Sequence, residues 1–222
     1  MPLLDNSTIC VASRASPLAL VQVGEVLNAL KEFYPHICFE VTSTMTGGDL
    51  DKVTSLTTLG STDFFTKEVD ELLLKNQCDI AIHSAKDLPD PIHPDLKIVA
   101  LTQGIDPRDT IVMKKGFTLE TLPFGAKIAT SSLRRMEMIK ALRSDFRLVD
   151  IRGTIDERLE KLSSSLIDGV VMARAALIRL GLTELNQHIL EVPAAPLQGR
   201  LAIIARKTDG EMAALFSCLN SN

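Results

Sequence analysis

The 222 residues are 45% hydrophobic and 23% charged with a net charge of −4, a balance that excludes disorder and gives no bulk positive charge for nucleic acid. No stretch approaches the length needed to cross a bilayer, and the opening Met1-Pro2-Leu3-Leu4-Asp5 has no basic segment before an apolar one. A cytoplasmic protein with neither a nucleic-acid nor a membrane partner is expected. Cys10, Cys38, Cys78 and Cys218 are scattered, as are the four histidines, so reduced, mostly buried thiols and no metal site are expected.

In chain order, apolar periodicity predicts a strand over 8–13, a helix over 16–33, a strand over 37–43, a helix over 64–75 and a strand over 79–83. Ser16 is a candidate N-cap with Pro17 at the first helical position, and Leu18, Val21, Leu27 and Leu30 make one apolar face. The polar stretch 45–63, with Gly47, Gly48 and Gly60, is longer than an ordinary connection and suits a mobile lid. After a strand over 96–102 the rhythm restarts: strands over 127–130, 147–151 and 169–172 alternate with helices over 132–142, 155–162 and up to 180. Segment 192–199 holds two prolines and a glycine and reads as a crossover; a strand over 201–205 and a helix over 210–219 then return to the first unit.

The pattern predicts an α/β protein of two lobes joined by two crossings, with a hinge and an interdomain cleft, the type II periplasmic-binding-protein arrangement. Domain 1 is discontinuous, 1–102 plus 198–222, and domain 2 is 103–197.

Residues 80–89 carry the sharpest chemical signal. An apolar run stops at His83, Ser84, Lys86 and Asp87 and is closed by Pro89. Polar groups at the carboxyl end of a buried strand need water, each other or a ligand, and in open α/β sheets that end is the ligand end. A surface ion pair between Lys86 and Asp87 is the plainer reading. Ten of the twelve arginines lie between Arg134 and Arg206, a clustering that suits carboxylate or phosphate ligands. Thr130, Ser131 and Ser132 open a helix that continues into Arg134 and Arg135, two cations opposing the macrodipole unless an anion, or Glu137 or Asp145, offsets them. Arg143 and Arg147 read as an exposed basic face. Thr154 and Glu157 have capping-box spacing between Arg152 and Arg158, while Arg14 and Arg152 each follow an apolar strand.

Five blocks in order carry a resemblance across nearly the whole chain. Segment 13–22 (Ser-Arg-Ala-Ser-Pro-Leu-Ala-Leu-Val-Gln), His83 to Pro89, Thr130 to Arg135, Arg152-Gly153 with Arg158, and Arg179 to Leu182 followed by Gln198-Gly199 resemble the hydroxymethylbilane synthase, or porphobilinogen deaminase, family. The resemblance implies a transferase of tetrapyrrole (haem) biosynthesis; a monomer acting on a small-molecule substrate is expected. It would join four porphobilinogen molecules head to tail with loss of ammonia.

It implies Asp87 as the catalytic carboxylate, stabilising the cationic azafulvene left when ammonia departs. Arg14, Arg134, Arg135, Arg152, Arg158 and Arg179 would hold pyrrole acetates and propionates, with Ser16, Ser84, Lys86, Thr130, Ser131, Ser132 and Gln198 as further contacts. A dipyrromethane cofactor is implied, anchored in the family on a cysteine of a third domain. The chain stops where that domain would begin and none of its cysteines matches the anchoring motif. Covalent attachment to this chain is therefore not expected, with Cys218 as a remote substitute.

Two other departures concern the lid, where Thr62 and Asp63 replace a lysine and a glycine, and the hinge, where Arg200 and Ile204 replace a small residue and an acid. A family member that binds pyrrole carboxylates without turnover is the alternative. Solute-binding proteins and regulator effector domains share the lobed pattern only as a fold.

Overall fold

The computed structural model describes residues 8–54 and 63–221. These fall into two compact units, with chain crossings between Ile105 and Asp106 and between Gln198 and Gly199. The short stretch 51–54 groups with the second unit, where Lys52 pairs with Glu157 and the Thr54 carbonyl accepts from Arg152 Nη1 at 2.6 Å.

The first unit begins with β1 (Thr8–Arg14), α1 (Pro17–Lys31), β2 (Cys38–Thr44), α2 (Gly47–Leu50), α3 (Lys67–Leu74), β3 (Ile80–Ser84) and β4 (Leu96–Leu101). The second holds β5 (Asp109–Met113), β6 (Lys127–Ala129), α4 (Leu133–Leu142), β7 (Arg147–Val149), α5 (Ile155–Ser163), β8 (Gly169–Ala173), α6 (Arg174–Arg179) and β9 (Gln187–Leu190). The chain then returns to the first unit with β10 (Leu201–Arg206) and α7 (Gly210–Phe216).

Both sheets follow one plan. The first is ordered β2-β1-β3-β10-β4 and the second β7-β6-β8-β5-β9. In each, the first three strands are parallel, and the strand that follows a crossing, β10 or β5, is inserted antiparallel as the fourth. Being covered on both faces, β5, β8 and β10 are apolar throughout apart from Asp109, Thr110 and Arg206. Each sheet separates two clusters of buried side chains, such as Leu30, Ile80 and Phe216 against Leu73 and Ala202 in the first unit. A fully buried side chain of this kind contributes about 1.5–3 kcal/mol.

The Ser16 hydroxyl caps α1, accepting from the Ala19 N–H at 3.3 Å. The buried face of α1 is Ala19, Val23, Val26, Leu27 and Leu30, whereas Val21 points outward. The face expected from sequence is thus rotated, because β-branched Val23 and Val26 fill the surface over the sheet. Strands β5 and β9 and helix α2 had no counterpart in the sequence reading. Strand β5 is five residues opening with an aspartate, and β9 is a short edge strand with only Leu190 buried. The expected lid falls partly on Gly60, Ser61 and Thr62, which lie outside the described residues.

Candidate functional site

In the first unit, β1 and β3 are neighbouring parallel strands, so Arg14 and Ser84 emerge at the same sheet edge. A hollow of about 60 Å³ opens there, lined by Arg14, Ser16, Gln22, Phe65, Ser84 and Asp87 among others. Asp87 ends a single 3₁₀ turn, 85–87, that follows β3 directly. Its carboxylate is half-buried and has no hydrogen-bond or ion-pair partner among the described residues. The neighbouring groups are held. Ser84 Oγ accepts from Gln22 Nε2 at 2.9 Å, and the Arg14 guanidinium lies 4.8 Å from the Phe65 ring centroid.

Arg14 also forms a two-pronged ion pair with Asp49, its Nε donating to Oδ2 at 3.2 Å. Asp49 accepts from the Thr46 N–H at 3.0 Å and the Thr46 hydroxyl at 2.8 Å. Burial opposes ionisation of Asp49, but Arg14 and the Thr46 N–H outweigh it and hold the carboxyl below its ordinary value. Buried His83, which also lines the hollow, meets Asp70 of α3 at 3.0 Å through Nε2. The sequence reading singled out neither Asp49, Gln22, Phe65 nor Asp70. Gln22 was legible as a polar residue among apolar ones on a buried helix face; Asp49 was not, since only the loop's fold brings it to Arg14.

In the second unit the arginine pair is organised around a residue the sequence reading missed. Asp109, at the start of β5, has a completely buried side chain. It pairs with Arg134 and accepts from Arg135 Nη2 at 2.6 Å and Nε at 3.1 Å. Gln198 Nε2 donates to the same carboxylate at 2.9 Å and to the Pro107 carbonyl at 2.6 Å. Burial opposes the charge of Asp109, yet Arg135, then Arg134 and Gln198, keep its pKa below the ordinary carboxylate range. Of the two alternatives, a bound anion or an internal carboxylate at Glu137 or Asp145, the internal carboxylate the arginines meet is a different one, Asp109, and it balances one of their two charges. A carboxylate opening an otherwise apolar strand was the available signal.

The hydroxyls near this pair have structural tasks. Ser132 caps α4, accepting from the Arg135 N–H at 3.5 Å, and buried Thr130 Oγ1 accepts from the Ser132 N–H at 3.3 Å. Ser131 Oγ bonds to Asp150 and to the Ile151 carbonyl and accepts from the Ile151 N–H at 3.0 Å, tying the ends of β6 and β7 together. Arg152 is buried and Arg158 Nε donates to the Gly153 carbonyl at 2.9 Å, beside a complete Thr154–Glu157 capping box. Arg179 is half-buried at the last position of α6.

Arg143 departs from its expected role as part of an exposed basic face. It pairs with Asp145 at 2.8 Å, donates to the Leu122 carbonyl at 3.1 Å and stacks over Phe146. Gly199, at the second crossing, has φ +90°, and a Cβ there would strike the Ile105 carbonyl, so glycine is required. The following Arg200 is tied to the Thr102 carbonyl at 2.9 Å and to Ser221. Cys38 is exposed rather than buried, and Cys218 donates to the Leu215 carbonyl at 3.3 Å while packing on the first unit's core. Among the described residues no cluster of His, Cys, Asp and Glu could hold a metal ion, and no helix is long and apolar enough to cross a membrane.

Comparison with known proteins agrees with this architecture. Among solved structures the chain is similar to the methionine-binding protein MetQ, with a TM-score of 0.59 at 14% identity over 96% of this chain and 89% of that one. It is similar also to the "probable amino-acid ABC transporter extracellular-binding protein" of Bacillus subtilis, with a TM-score of 0.57 at 13% identity over 96% and 90%. At these identities the likeness shows the two-lobed binding-protein fold alone.

Sequence relatives carry more. The chain is 44% identical over 204 residues to the "probable porphobilinogen deaminase" of Chlamydia trachomatis, covering 92% of this chain and 84% of that protein. It is 38% identical over 219 residues to the porphobilinogen deaminase of Roseiflexus castenholzii, covering 97% and 72%. A family model described as porphobilinogen deaminase, dipyromethane cofactor binding domain, matches residues 9–214, and the chain therefore belongs to the porphobilinogen deaminase family.

Proposed function

We propose that this chain is a hydroxymethylbilane synthase, a transferase that condenses four porphobilinogen molecules head to tail with release of ammonia in tetrapyrrole biosynthesis. The observation that carries the site assignment is the Asp87 carboxylate, without a partner among the described residues, in a hollow shared with Arg14 and Ser84. Loss of ammonia from porphobilinogen leaves positive charge delocalised onto the pyrrole nitrogen. An ionised carboxylate within hydrogen-bond reach of that N–H stabilises the charge as it develops and can accept the proton that rearomatisation releases. Arg14, supported from behind by Asp49, would receive a substrate carboxylate in bidentate fashion, and Lys86 and Ser84 would add donors. In the second unit Arg134, Arg135, Arg152, Arg158 and Arg179 would hold the carboxylates of the growing chain, while Asp109 and Gln198 fix the first two guanidiniums.

The hollow also suits a dipyrromethane. Phe65 and Leu18 offer apolar walls for flat pyrrole rings, Arg14 and Ser16 offer donors for acidic side chains, and Asp87 offers an acceptor for ring N–H groups. When bound, that group supplies the pyrrole terminus that substrate extends. We do not assign its anchor to Cys218, whose thiol is turned to its own helical turn and raised in pKa by burial. Mass spectrometry of the denatured chain should give the unmodified polypeptide; an adduct on Cys218 would overturn that assignment.

We take the working form to be a monomer in the cytoplasm, and one that uses no nucleic acid, the last supported by the net charge of −4. Incubation with porphobilinogen, following ammonia release and the colour of the oxidised tetrapyrrole, tests the activity. Binding of a dipyrromethane without ammonia release would replace the enzyme reading with that of a pyrrole-binding family member.

A further inference from the structure

A pair of thiols stands outside this chemistry. Cys10 lies within β1 and Cys78 two residues before β3, and their Sγ atoms are 3.0 Å apart. That is inside the roughly 3.5–4.0 Å at which non-bonded heavy atoms rest. The backbones that carry them are fixed. Val11 is registered against Ile80, the Asp79 N–H donates to the Cys10 carbonyl at 2.9 Å, and the Cys10 N–H donates to the Asp79 carboxylate at 2.8 Å. Neighbouring strands run about 4.7–4.9 Å apart, which suits the Cα separations of about 4.4–6.8 Å that a disulfide spans.

We propose that Cys10 and Cys78 are an oxidative modification site: a two-electron oxidant such as hydrogen peroxide converts them to a reversible disulfide joining the strands that carry Arg14 and Ser84. Cys10 is half-buried, whereas Cys78 is buried and its pKa is pushed up to about 12 by that burial and by the adjacent Cys10 thiol. Peroxide therefore meets Cys10 first. The Cys10 thiol gives up its proton and its sulfur attacks one peroxide oxygen; an S–O bond forms, the O–O bond breaks, and the departing hydroxide takes up that proton and leaves as water, giving the sulfenic acid. The Cys78 sulfur then displaces the hydroxyl, forming S–S, and its proton leaves with that hydroxyl as a second water. Two thiols lose two hydrogens, and one peroxide is reduced to two waters. The other two cysteines serve as internal comparisons, since Cys38 is exposed and Cys218 donates its thiol hydrogen to Leu215.

The test uses the full chain carrying Cys38→Ser and Cys218→Ser, oxidised natively with a small excess of hydrogen peroxide and alkylated after denaturation. The expected product is lighter by two hydrogen atoms, takes up no alkylating agent and gives a Cys10–Cys78 linked peptide that dithiothreitol separates. Closing the loop between β1 and β3 should also raise the thermal midpoint by about 4–12 °C over the reduced protein. With Cys78→Ser, or Cys78→Ala if serine disturbs the buried position, dimedone should trap the sulfenic acid on Cys10. Two alkylatable thiols after oxidation, mass gains of oxygen without a link, or a link formed only in denaturant would overturn the proposal, as would a failure to trap Cys10.

Discussion

The two units share one sheet plan and treat their charges in opposite ways. The first holds few arginines, and beside Arg14 it leaves Asp87 in a hollow with no partner among the described residues. The second holds most of the arginines yet pins many to carboxylates: Arg134 and Arg135 to Asp109, Arg143 to Asp145, Arg108 and Arg174 to Asp106. Charge density along a sequence is therefore not charge available to a ligand. Of the two positive charges at Arg134 and Arg135, one is neutralised by Asp109, and the pair offers a net single charge in a fixed orientation.

The sharpest way to break the comparison is Arg135→Leu. If the second unit's arginines were there for ligand alone, the variant would lose affinity for carboxylate-bearing pyrroles and keep its stability. With Asp109 completely buried beneath them, removing Arg135 takes away two of the carboxylate's charge-assisted hydrogen bonds and leaves it to Arg134 and Gln198, at about 1.5–3 kcal/mol of folding free energy for each lost bond. Denaturant unfolding should record that loss, and Asp109→Asn in the same background should recover part of it. A variant as stable as the parent would remove Asp109 from its structural role.

Next in size, Asp87→Ala should leave the unfolding midpoint within about 0.5 kcal/mol of the parent, as for a group with little packing to lose. Turnover should fall about a hundred- to a thousandfold, some 2.7–4 kcal/mol of transition-state stabilisation. Near-native ammonia release would remove Asp87 from the chemistry. The pair of variants thus separates a unit whose key charge acts on ligand from one whose charges act first on each other.

Acid should reveal the same contrast. The folded pKa of Asp109 lies below its ordinary value of 3.8, so its stabilisation is fully present above that value and is lost as pH falls through the depressed folded one. Asp49 behaves in the same sense through Arg14 and Thr46. Unfolding curves should be flat from neutral pH to about pH 5 and steepen below pH 4, and Asp109→Asn should flatten the steep part. Arg14→Leu should weaken binding of a dipyrromethane by about 1.5–3 kcal/mol, one charge-assisted contact, measured by titration calorimetry. Unchanged affinity would leave Arg14 as a partner of Asp49 only.

Legibility in the sequence followed the same divide. The parallel strands, the cap at Ser16, the capping box at Thr154 and Glu157 and the polar strand end at 83–87 are local patterns, and each was readable from neighbouring residues. The partnerships of Arg14 with Asp49 and of Arg134 and Arg135 with Asp109 join residues 25 to 35 positions apart and depend on how loops and inserted strands fold back. No period or spacing announces them. Strand β5 escaped for the same reason: inserted antiparallel between β8 and β9, it owes its existence to two neighbours that come later in the chain.

The smallest effect tests whether local structure in the second unit also aims its arginines. Thr154 and Glu157 cap α5 reciprocally, with the Thr154 N–H donating to Glu157 Oε2 at 2.8 Å and Arg158 reaching back to the Gly153 carbonyl. Thr154→Ala removes one half of this box and should cost about 0.5–2 kcal/mol of stability. Arg152 lies just before the cap and Arg158 just inside the helix, so fraying of the first turn would loosen both guanidiniums. If the box is only a helix start, KM for porphobilinogen under fully folded conditions should stay within about twofold of the parent, less than 0.5 kcal/mol. A larger rise in KM with kcat retained, restored by Thr154→Ser, would make the cap a positioning device for Arg152 and Arg158. That result would place the second unit's ligand-directed charge at the start of α5 rather than at the pair bound to Asp109.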